Sequence, residues 1–433
     1  MSTKKKGRET MRLGTLRTPA WTLAAFGLAV ALSACGSSDD PNTVNGPVDP
    51  NNNPQNPNNP TTPPVQQTPE EQIKQILDSR KADYGEALRT ASLKLRDELP
   101  SLAEIKTIEG AADDAGKKAA YEKLVDDMIA SPEFTSTMVN FWKDTFRTGQ
   151  VGAIQMGAAS KDTAANFAAQ VVVEGRSYSE LFTATANTCP TFNATTNAFT
   201  PATCVPGAVA GPTAGVLTDP GLLAQYFANM AFRRVRFIQE TFACSKFPAE
   251  YGTAEKGTAP KPLGNGTFTG AFPFESIIGK QNTPTAKIDF QDTSAVICAN
   301  CHVNLNRVAP MFLNFDTNGL LQAASQVEVP IPGTPKAVRT DYLPAAEGYA
   351  WRAGKPVTDI TTLGAAIAAD PDVARCAVNR IWNYALSRGD IVNDLATVPN
   401  AVTDPYVTAF TGGGQKLKET IRGIFKSEDF VKF

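Results

Sequence analysis

The amino-acid sequence predicts a mostly α-helical protein whose helices are joined by long irregular loops. In the stretch AYEKLVDDMIASPEF, apolar residues recur at intervals of three and four positions, which is the spacing that places side chains on one face of a helix. The dipeptide Asp219-Pro220 is a typical helix start, with a capping carboxylate and a proline at the first helical position. Similar apolar periodicity returns near the C-terminus, and it predicts helices over 360–368, 373–388 and 415–430.

The first 34 residues have the order of regions found in a secretory signal peptide. A basic segment is followed by the short apolar run WTLAAFGLAVAL and then by LSAC at Leu32–Cys35. The run is too short for a transmembrane helix. The LSAC sequence resembles the lipobox of bacterial lipoproteins, so we predict a signal peptide over 1–34 and a lipid on Cys35. A plain secretory signal that ends near a cysteine is the alternative.

The segment 35–67 consists mainly of Asn, Pro, Ser, Asp and Thr, with almost no residue that could enter a core. This composition predicts a disordered tether. Gly36 after the lipid-bearing cysteine favours the outer membrane of a bacterial envelope, on either its periplasmic or its external side. Removal of six basic residues and Glu9 with the signal peptide moves the net charge from −2 to −7. An acidic chain of this kind is not expected to bind nucleic acid.

The remaining chain predicts two helical domains, an N-terminal one over 68–215 and a second one over 216–433. The first contains the polar loop CPTFNATTNAFTPATC, bracketed by Cys189 and Cys204, which is typical of a loop closed by a disulfide. The second is predicted to begin with one long helix that runs from Asp219 to near Cys244.

The segment CANCH, at Cys298–His302, contains the single histidine of the chain. The pattern C-x-x-C-H is the attachment signature of a c-type haem. Two thiols three positions apart lie on one side of a helical turn, where they can add to the two vinyl groups of the porphyrin, and His302 then ligates the iron. A zinc site would need further ligands that the sequence does not offer. A disulfide between Cys298 and Cys301 would leave the histidine unexplained.

The longer stretch CANCHVNLNRVAPMFLNFDTNG resembles the planctomycete- and myxobacterial-type cytochrome c domain proteins, most of which are domains of unknown function with the pattern CxxCH followed by ENFDxxG. Asn314, Phe315, Asp316 and Gly319 fall in that register. Between the two motifs, Asn306, Arg307 and Ala309 stand where the family usually has Asp, Pro and Gly. The segments RRVRFIQETFAC, VARCAVNRIWNYALSRG and QKLKETIRGIFKSEDFVKF are similar to further helices of the family. The early segments LKLRDELPSLAEIKTIE and LVDDMIASPEF resemble its N-terminal helices. The resemblance implies a helical, cytochrome c-like haem domain and one covalent haem c, without defining a reaction.

Two further residues are candidates for contact with this haem. Met311 follows Pro310 in a short apolar loop, and nine extended residues from His302 could reach the opposite face of the porphyrin, so Met311 is our candidate for the sixth iron ligand. Met230 and an open iron position are the alternatives. Arg234, in the basic cluster RRVR, is the candidate partner of a haem propionate, and a solvated helix face is the alternative.

The four cysteines that remain after Cys35, Cys298 and Cys301 allow three pairings. Cys189 and Cys204 are close in sequence, which leaves Cys244 for Cys376. The second bond would join the helix before the haem motif to a helix after it.

The sequence therefore predicts a lipid-anchored monohaem cytochrome that transfers single electrons at the cell envelope, with the membrane and an unidentified redox protein as partners. A haem enzyme or ligand sensor with an open iron position is the second hypothesis. The third hypothesis is a non-redox surface protein in which the covalent haem mainly stabilises the core, as a structural staple. The only histidine is committed to the haem motif, so no Ser-His-Asp or Cys-His constellation supports a hydrolase.

Overall fold

A computed structural model describes residues 68, 71, 75–76, 78–148, 160–247, 296–329, 333–392 and 397–433. Within these ranges, only the backbone is described for residues 229, 296–300, 303 and 353. The predicted signal peptide, Cys35, the whole tether over 35–67 and residues 248–295 lie outside the described residues. Residues Glu70–Phe433 form one compact unit. This unit is mostly helical, as predicted.

The N-terminal part is a set of packed helices with well-defined starts. They are α1 (Tyr84–Arg96), α2 (Leu102–Glu109), α3 (Asp114–Ala130), α4 (Pro132–Phe146) and α5 (Thr163–Val173). Asp83 caps α1 by accepting hydrogen bonds from the backbone N–H groups of Gly85 and Glu86, both at 3.0 Å. Ser101 and Glu104 form a capping box at the start of α2. Helix α4 packs along α5 and buries Trp142.

The Cys loop is a small antiparallel hairpin that follows the short helix α6 (Glu180–Thr183). Its strands are β1 (Thr191–Asn193) and β2 (Ala198–Thr200), with Phe192 opposite Phe199. A 3₁₀ turn over Gly215–Thr218 leads from this loop to the second half of the chain.

The long helix predicted from Asp219 to Cys244 is two helices, so this prediction is wrong in part. Helix α7 spans Pro220–Gln225 and α8 spans Phe232–Ala243. Between them, Met230 and Ala231 adopt left-handed backbone angles, with φ of 62° and 54°. Two consecutive non-glycine residues in this region break the helical ladder. The predicted end near Cys244 is confirmed, because Cys244 is the left-handed residue that follows α8.

The remainder of the unit contains the haem-motif helix and a C-terminal group of helices. The helices are α9 (Val296–Val308), α10 (Ile360–Ala368), α11 (Pro371–Ala385), α12 (Asn400–Gly412), α13 (Leu417–Phe425) and α14 (Glu428–Val431). A two-residue pairing of β3 (Ala350–Trp351) with β4 (Lys355–Pro356) lies in the irregular passage before α10. Helix α12 was not predicted, because Pro405 lies inside it and its buried residues, Thr403 and Phe410, do not form an apolar stripe.

Residues on both sides of the predicted domain boundary at 215/216 share one core. The hydroxyl of Tyr121 in α3 donates to the backbone carbonyl of Phe425 in α13 at 2.7 Å. Helix α11 packs against α1, α8 and α13. The two predicted helical domains therefore do not have separate cores. Among the described helices, none combines the length and the apolar character needed to cross a lipid bilayer.

Candidate functional site

Helix α9 carries the whole CANCH motif. Cys298, Cys301 and His302 occupy positions i, i+3 and i+4 of this helix, so they share one face. Cys301 and His302 are half-buried, and the Cys298 side chain is outside the described structure. The helical placement of the motif agrees with the geometry that two thioether attachments and an adjacent imidazole require.

The His302 ring is fixed by two side chains. Its Nδ1 lies 2.9 Å from Oδ1 of Asn306, one helical turn further along α9. In the tautomer that donates to this carbonyl oxygen, Nδ1 carries the proton and Nε2 carries the lone pair. The ring of Phe232 meets the imidazole edge to face, with centroids 5.0 Å apart and planes at 90°. Burial lowers the pKa of His302, and the hydrogen bond to Asn306 partly offsets this effect.

These groups fit a haem iron. Metal-binding histidines usually donate their second ring N–H to a carbonyl or carboxylate, which sets the tautomer and orients the ring. Asn306 is buried and performs this task within α9 itself. Its role was missed at the sequence level, although its position four residues after His302 on a predicted helix is a signal that could have identified it.

The backbone between α7 and α8 places Phe232 against His302. The carbonyl of Met230 accepts from the Tyr342 hydroxyl at 3.0 Å, and its N–H donates to the Glu328 carbonyl at 3.2 Å. The Tyr342 ring also meets Phe232 at a centroid distance of 5.6 Å. Left-handed angles at non-glycine residues persist only where the surroundings enforce them, and these contacts supply that enforcement.

Met311 does not lie in an extended loop, which corrects the basis of its prediction as an iron ligand. Helix α9 continues to Val308, and a 3₁₀ turn over Ala309–Phe312 follows at once. Because most of the residues between His302 and Met311 are helical, this stretch is much shorter than the roughly 30 Å of an extended chain. Met311 is half-buried, and its turn packs against the turn that contains Met230. Whether either thioether binds iron stays a prediction.

Arg234 does not lie on a solvated helix face, which was the alternative interpretation of the basic cluster. Its side chain is 1% exposed. Nε donates to the carbonyl of Leu223 at 3.0 Å, and Nη2 donates to that of Asp316 at 3.0 Å. Nη1 donates to the carbonyls of Phe312 and Phe315 at 3.0 and 3.1 Å. Because these main-chain carbonyls accept from the guanidinium, it clamps the chain that follows α9. A contact with a haem propionate stays a prediction.

The loop clamped by Arg234 contains the FDxNG residues on which the family resemblance rests. The Asp316 carboxylate accepts from the N–H groups of Asn318 and Leu320 at 2.8 and 2.9 Å, and from Nε2 of Gln322 at 2.8 Å. Gly319 has a φ of 72°, and a Cβ there would lie 2.0 Å from the Pro220 carbonyl. The motif thus forms a tight turn that packs against the start of α7. Burial lowers the pKa of Arg234 to about 9, and the Asp316 carboxylate partly offsets this effect.

A cleft of about 660 Å³ lies against α8 and is lined by Arg233, Arg236 and Glu240. Its walls include neither Cys301 nor His302. We therefore do not assign the haem to this cleft.

Both predicted disulfides are present. Cys189 is bonded to Cys204 with a Cα–Cα distance of 5.0 Å, and Cys244 is bonded to Cys376 with a Cα–Cα distance of 5.4 Å. The second bond joins the end of α8 to α11, on the two sides of the haem motif in the sequence. Cys35 and its predicted lipid lie outside the described residues.

Comparison with known proteins gives one family match. Residues 66–187 match PSCyt2, a family described as a protein of unknown function (DUF1549). No curated protein and no solved structure matches the chain. The family match covers α1 to α6 and ends before the haem motif. It confirms the predicted resemblance for the N-terminal helices only, whereas the cytochrome c and lipoprotein features stay predictions.

Proposed function

We propose that the protein is a lipid-anchored, monohaem c-type cytochrome that transfers single electrons at the bacterial cell envelope. Cys298 and Cys301 would hold one haem c through thioether bonds, and His302 would ligate the iron. The observation that carries the proposal is the CANCH motif on one helical face with the His302 Nδ1 bound to Asn306 Oδ1 at 2.9 Å.

Each residue around the motif has a defined task in this proposal. Asn306 holds the proton of the imidazole on Nδ1 and so directs Nε2 to the iron. The Phe232 edge fixes the plane of the imidazole. Leu305 and Val308, both buried on α9, anchor the helix in the core. When bound, the haem supplies an iron that changes oxidation state by one electron, and its potential depends on axial ligation and burial.

The proposed location rests on the sequence features of the N-terminus. A lipid on Cys35 would anchor the chain to the membrane, and the Asn- and Pro-rich tether over 35–67 would separate the folded unit from it. Gly36 favours the outer membrane. The net charge of −7 after signal removal would direct the protein to a redox partner with a basic docking surface rather than to nucleic acid.

The test begins with purification of the chain from cells that express a haem-maturation system. We expect intact-mass analysis to show one covalent haem, and we expect its loss in the Cys298→Ala Cys301→Ala variant. Cys35→Ser is the matched control, because it removes a cysteine outside the motif and should retain haem. A wild-type chain without haem mass would reject the proposal.

Spectra of the loaded protein separate electron transfer from the alternative functions. Oxidised and reduced spectra should be those of low-spin haem, and carbon monoxide and cyanide should bind slowly. Rapid binding of either ligand would instead favour the haem enzyme or sensor with an open iron position. A haem that cannot be reduced at physiological potentials would favour the structural-staple hypothesis.

A further inference from the structure

A buried carboxylic acid lies against one sulfur of the Cys189–Cys204 disulfide. Oδ2 of Asp219 is 3.3 Å from Sγ of Cys189. Asp219 is 0% exposed and Cys189 is 6% exposed. A disulfide sulfur carries no proton, so in the oxidised protein Cys189 cannot donate a hydrogen bond across this contact. After reduction, the Cys189 thiol can donate to Oδ2, so the contact stabilises the dithiol form selectively.

The surroundings of Asp219 favour its protonated state. Oδ1 accepts from the Leu222 N–H at 2.8 Å and caps α7. Burial raises the pKa of the carboxyl to about 7, and hydrogen bonds from Thr163, Leu222 and Gly221 partly offset this effect. Asp219 is therefore a proton donor that remains available below neutral pH.

The charged side chains on the elements that pack around Asp219 have partners of their own. Glu180 of α6 pairs with Arg176, and the Asp316 carboxylate, in the turn against Pro220, accepts from Asn318, Leu320 and Gln322. Helices α5 and α7 and the 3₁₀ turn over Gly215–Thr218 contain no ionisable residue. The nearest charged residues before α5 are Lys161 and Asp162, and Asp162 pairs with Lys143 at 3.0 Å. Proton transfer by Asp219 is thus expected to depend mainly on its own titration.

The other sulfur of this disulfide is the more accessible one. Cys204 is half-buried and lines a cavity of about 250 Å³ together with Thr188, Gly207 and Leu321. The Thr188 hydroxyl lies 3.3 Å from Sγ of Cys204, where it can donate to a thiolate. An accessible sulfur can be attacked by a thiolate, and an acid beside the other sulfur can protonate the thiolate that departs, so both features favour thiol–disulfide exchange.

We propose that Cys189–Cys204 is a redox-active disulfide that accepts electrons from a dithiol partner, with Asp219 as the acid that protonates the departing Cys189. A partner thiolate attacks Sγ of Cys204, the Cys189–Cys204 bond breaks, and its electron pair passes to Cys189, which takes the proton of Asp219. The second thiolate of the same partner then attacks the partner's own sulfur in the mixed disulfide and displaces Cys204 as a thiolate. The partner becomes a disulfide, and this chain becomes a dithiol after a two-electron reduction.

The second disulfide provides an internal control. The described contacts of its sulfurs are from Cys376 to the Thr241 carbonyl at 3.5 Å and from Cys244 to Nη2 of Arg380 at 3.9 Å. Neither contact is to an acid. Among the residues that the structure describes, no carboxylic acid contacts either sulfur of the Cys244–Cys376 bond.

The experiment follows reduction of both bonds in the oxidised, full-length protein by dithiothreitol. Samples are quenched by differential alkylation, and peptide mass spectrometry gives a separate reduction rate for each disulfide between about pH 5.5 and 8.5. Each rate is divided by the concentration of dithiothreitol thiolate at that pH, which gives a normalised rate. We expect the normalised rate for Cys189–Cys204 to fall at least ten-fold as the pH rises through the Asp219 pKa of about 7. The normalised rate for Cys244–Cys376 should be flat.

The Asp219→Asn variant tests the assignment of the acid. Asparagine also caps helices, so α7 should be retained while the proton is lost. We expect the Cys189–Cys204 rate at about pH 6 to drop roughly ten-fold and its profile to become flat. Asp359→Asn is the matched control, because Asp359 caps α10 without a sulfur contact. If the Asp219→Asn variant does not fold, the two wild-type profiles still decide: equal, flat profiles for both bonds overturn the proposal.

Discussion

The clamp formed by Arg234 yields a direct prediction about stability. Replacement by methionine keeps a long side chain in the core and removes every guanidinium donor. The carbonyls of Leu223 and Phe315 then lose a buried, charge-assisted donor. The carbonyl of Phe312 keeps the Phe315 N–H at 3.3 Å, and that of Asp316 keeps the Gly319 N–H at 3.0 Å.

This bonding pattern sets the size of the expected effect. For the carbonyls of Leu223 and Phe315, loss of the charged donor lowers the free energy of unfolding by about 1.5 to 2 kcal/mol each. For the carbonyls of Phe312 and Asp316, which retain a backbone N–H donor, the loss is about 0.5 kcal/mol each. We therefore expect Arg234→Met to lower the free energy of unfolding by about 4 kcal/mol. At roughly 2.1 cal/mol/K per residue over Glu70–Phe433, this corresponds to a fall in Tm of about 5 °C.

The neighbouring arginine provides the matched control. Arg233 is exposed, and its guanidinium lies 5.5 Å from the Tyr226 ring centroid. Arg233→Met should therefore change the free energy of unfolding by no more than about 0.5 kcal/mol. Both variants are to be compared by calorimetry and by chemical denaturation with the disulfides intact.

The same pair of variants also separates the clamp from a role in haem binding. In a chain that lacks haem through Cys298→Ala and Cys301→Ala, the clamp contacts remain, so Arg234→Met should destabilise by a similar amount. Equal effects of Arg233→Met and Arg234→Met would refute the clamp. A loss of stability that occurs only in the haem-loaded protein would instead support the assignment of Arg234 as a haem propionate partner.

Three further predictions concern the backbone, the iron and the second disulfide. In a denaturation assay, Gly319→Ala should lower the free energy of unfolding by about 3 kcal/mol, because the new Cβ meets a backbone carbonyl. Gly414 also has a positive φ, of 76°, but has open space around it. Gly414→Ala should therefore lower the free energy of unfolding by only about 1 kcal/mol. If Met311 ligates iron, Met311→Leu abolishes the iron–thioether absorption band and lowers the potential; an unchanged spectrum with loss of the band in Met230→Leu would move the ligand to Met230. Cys376→Ser opens a closed loop with a sequence separation of 132 and should lower the free energy of unfolding by about 5 kcal/mol, and an unchanged Tm would contradict this.

The sequence was sufficient to predict those features that depend on local spacing. Apolar periodicity predicts the helical character of the chain, and the Asp-Pro dipeptide predicts the cap at Asp219. The spacing of CANCH predicts its placement on a helix, and the number and spacing of the other cysteines predict both disulfides. Each of these depends on residues that are close in sequence or on a small number of possible pairings.

Features set by distant contacts were not predictable. The break between α7 and α8 contains no glycine or proline at its left-handed residues, and it is held by Tyr342, which is 112 positions from Met230. The sequence shows the charge of Arg234 but not the carbonyls that surround it. Because a buried cation takes whatever acceptors the fold supplies, a basic cluster alone could not distinguish a main-chain clamp from a propionate partner.

The bond between Cys244 and Cys376 also has a topological consequence. Together with the chain between them, it forms a covalent ring that encloses the segment with CANCH. A single proteolytic cut anywhere in that ring would open it without releasing a fragment, so the nicked protein would remain one molecule until the disulfide was reduced.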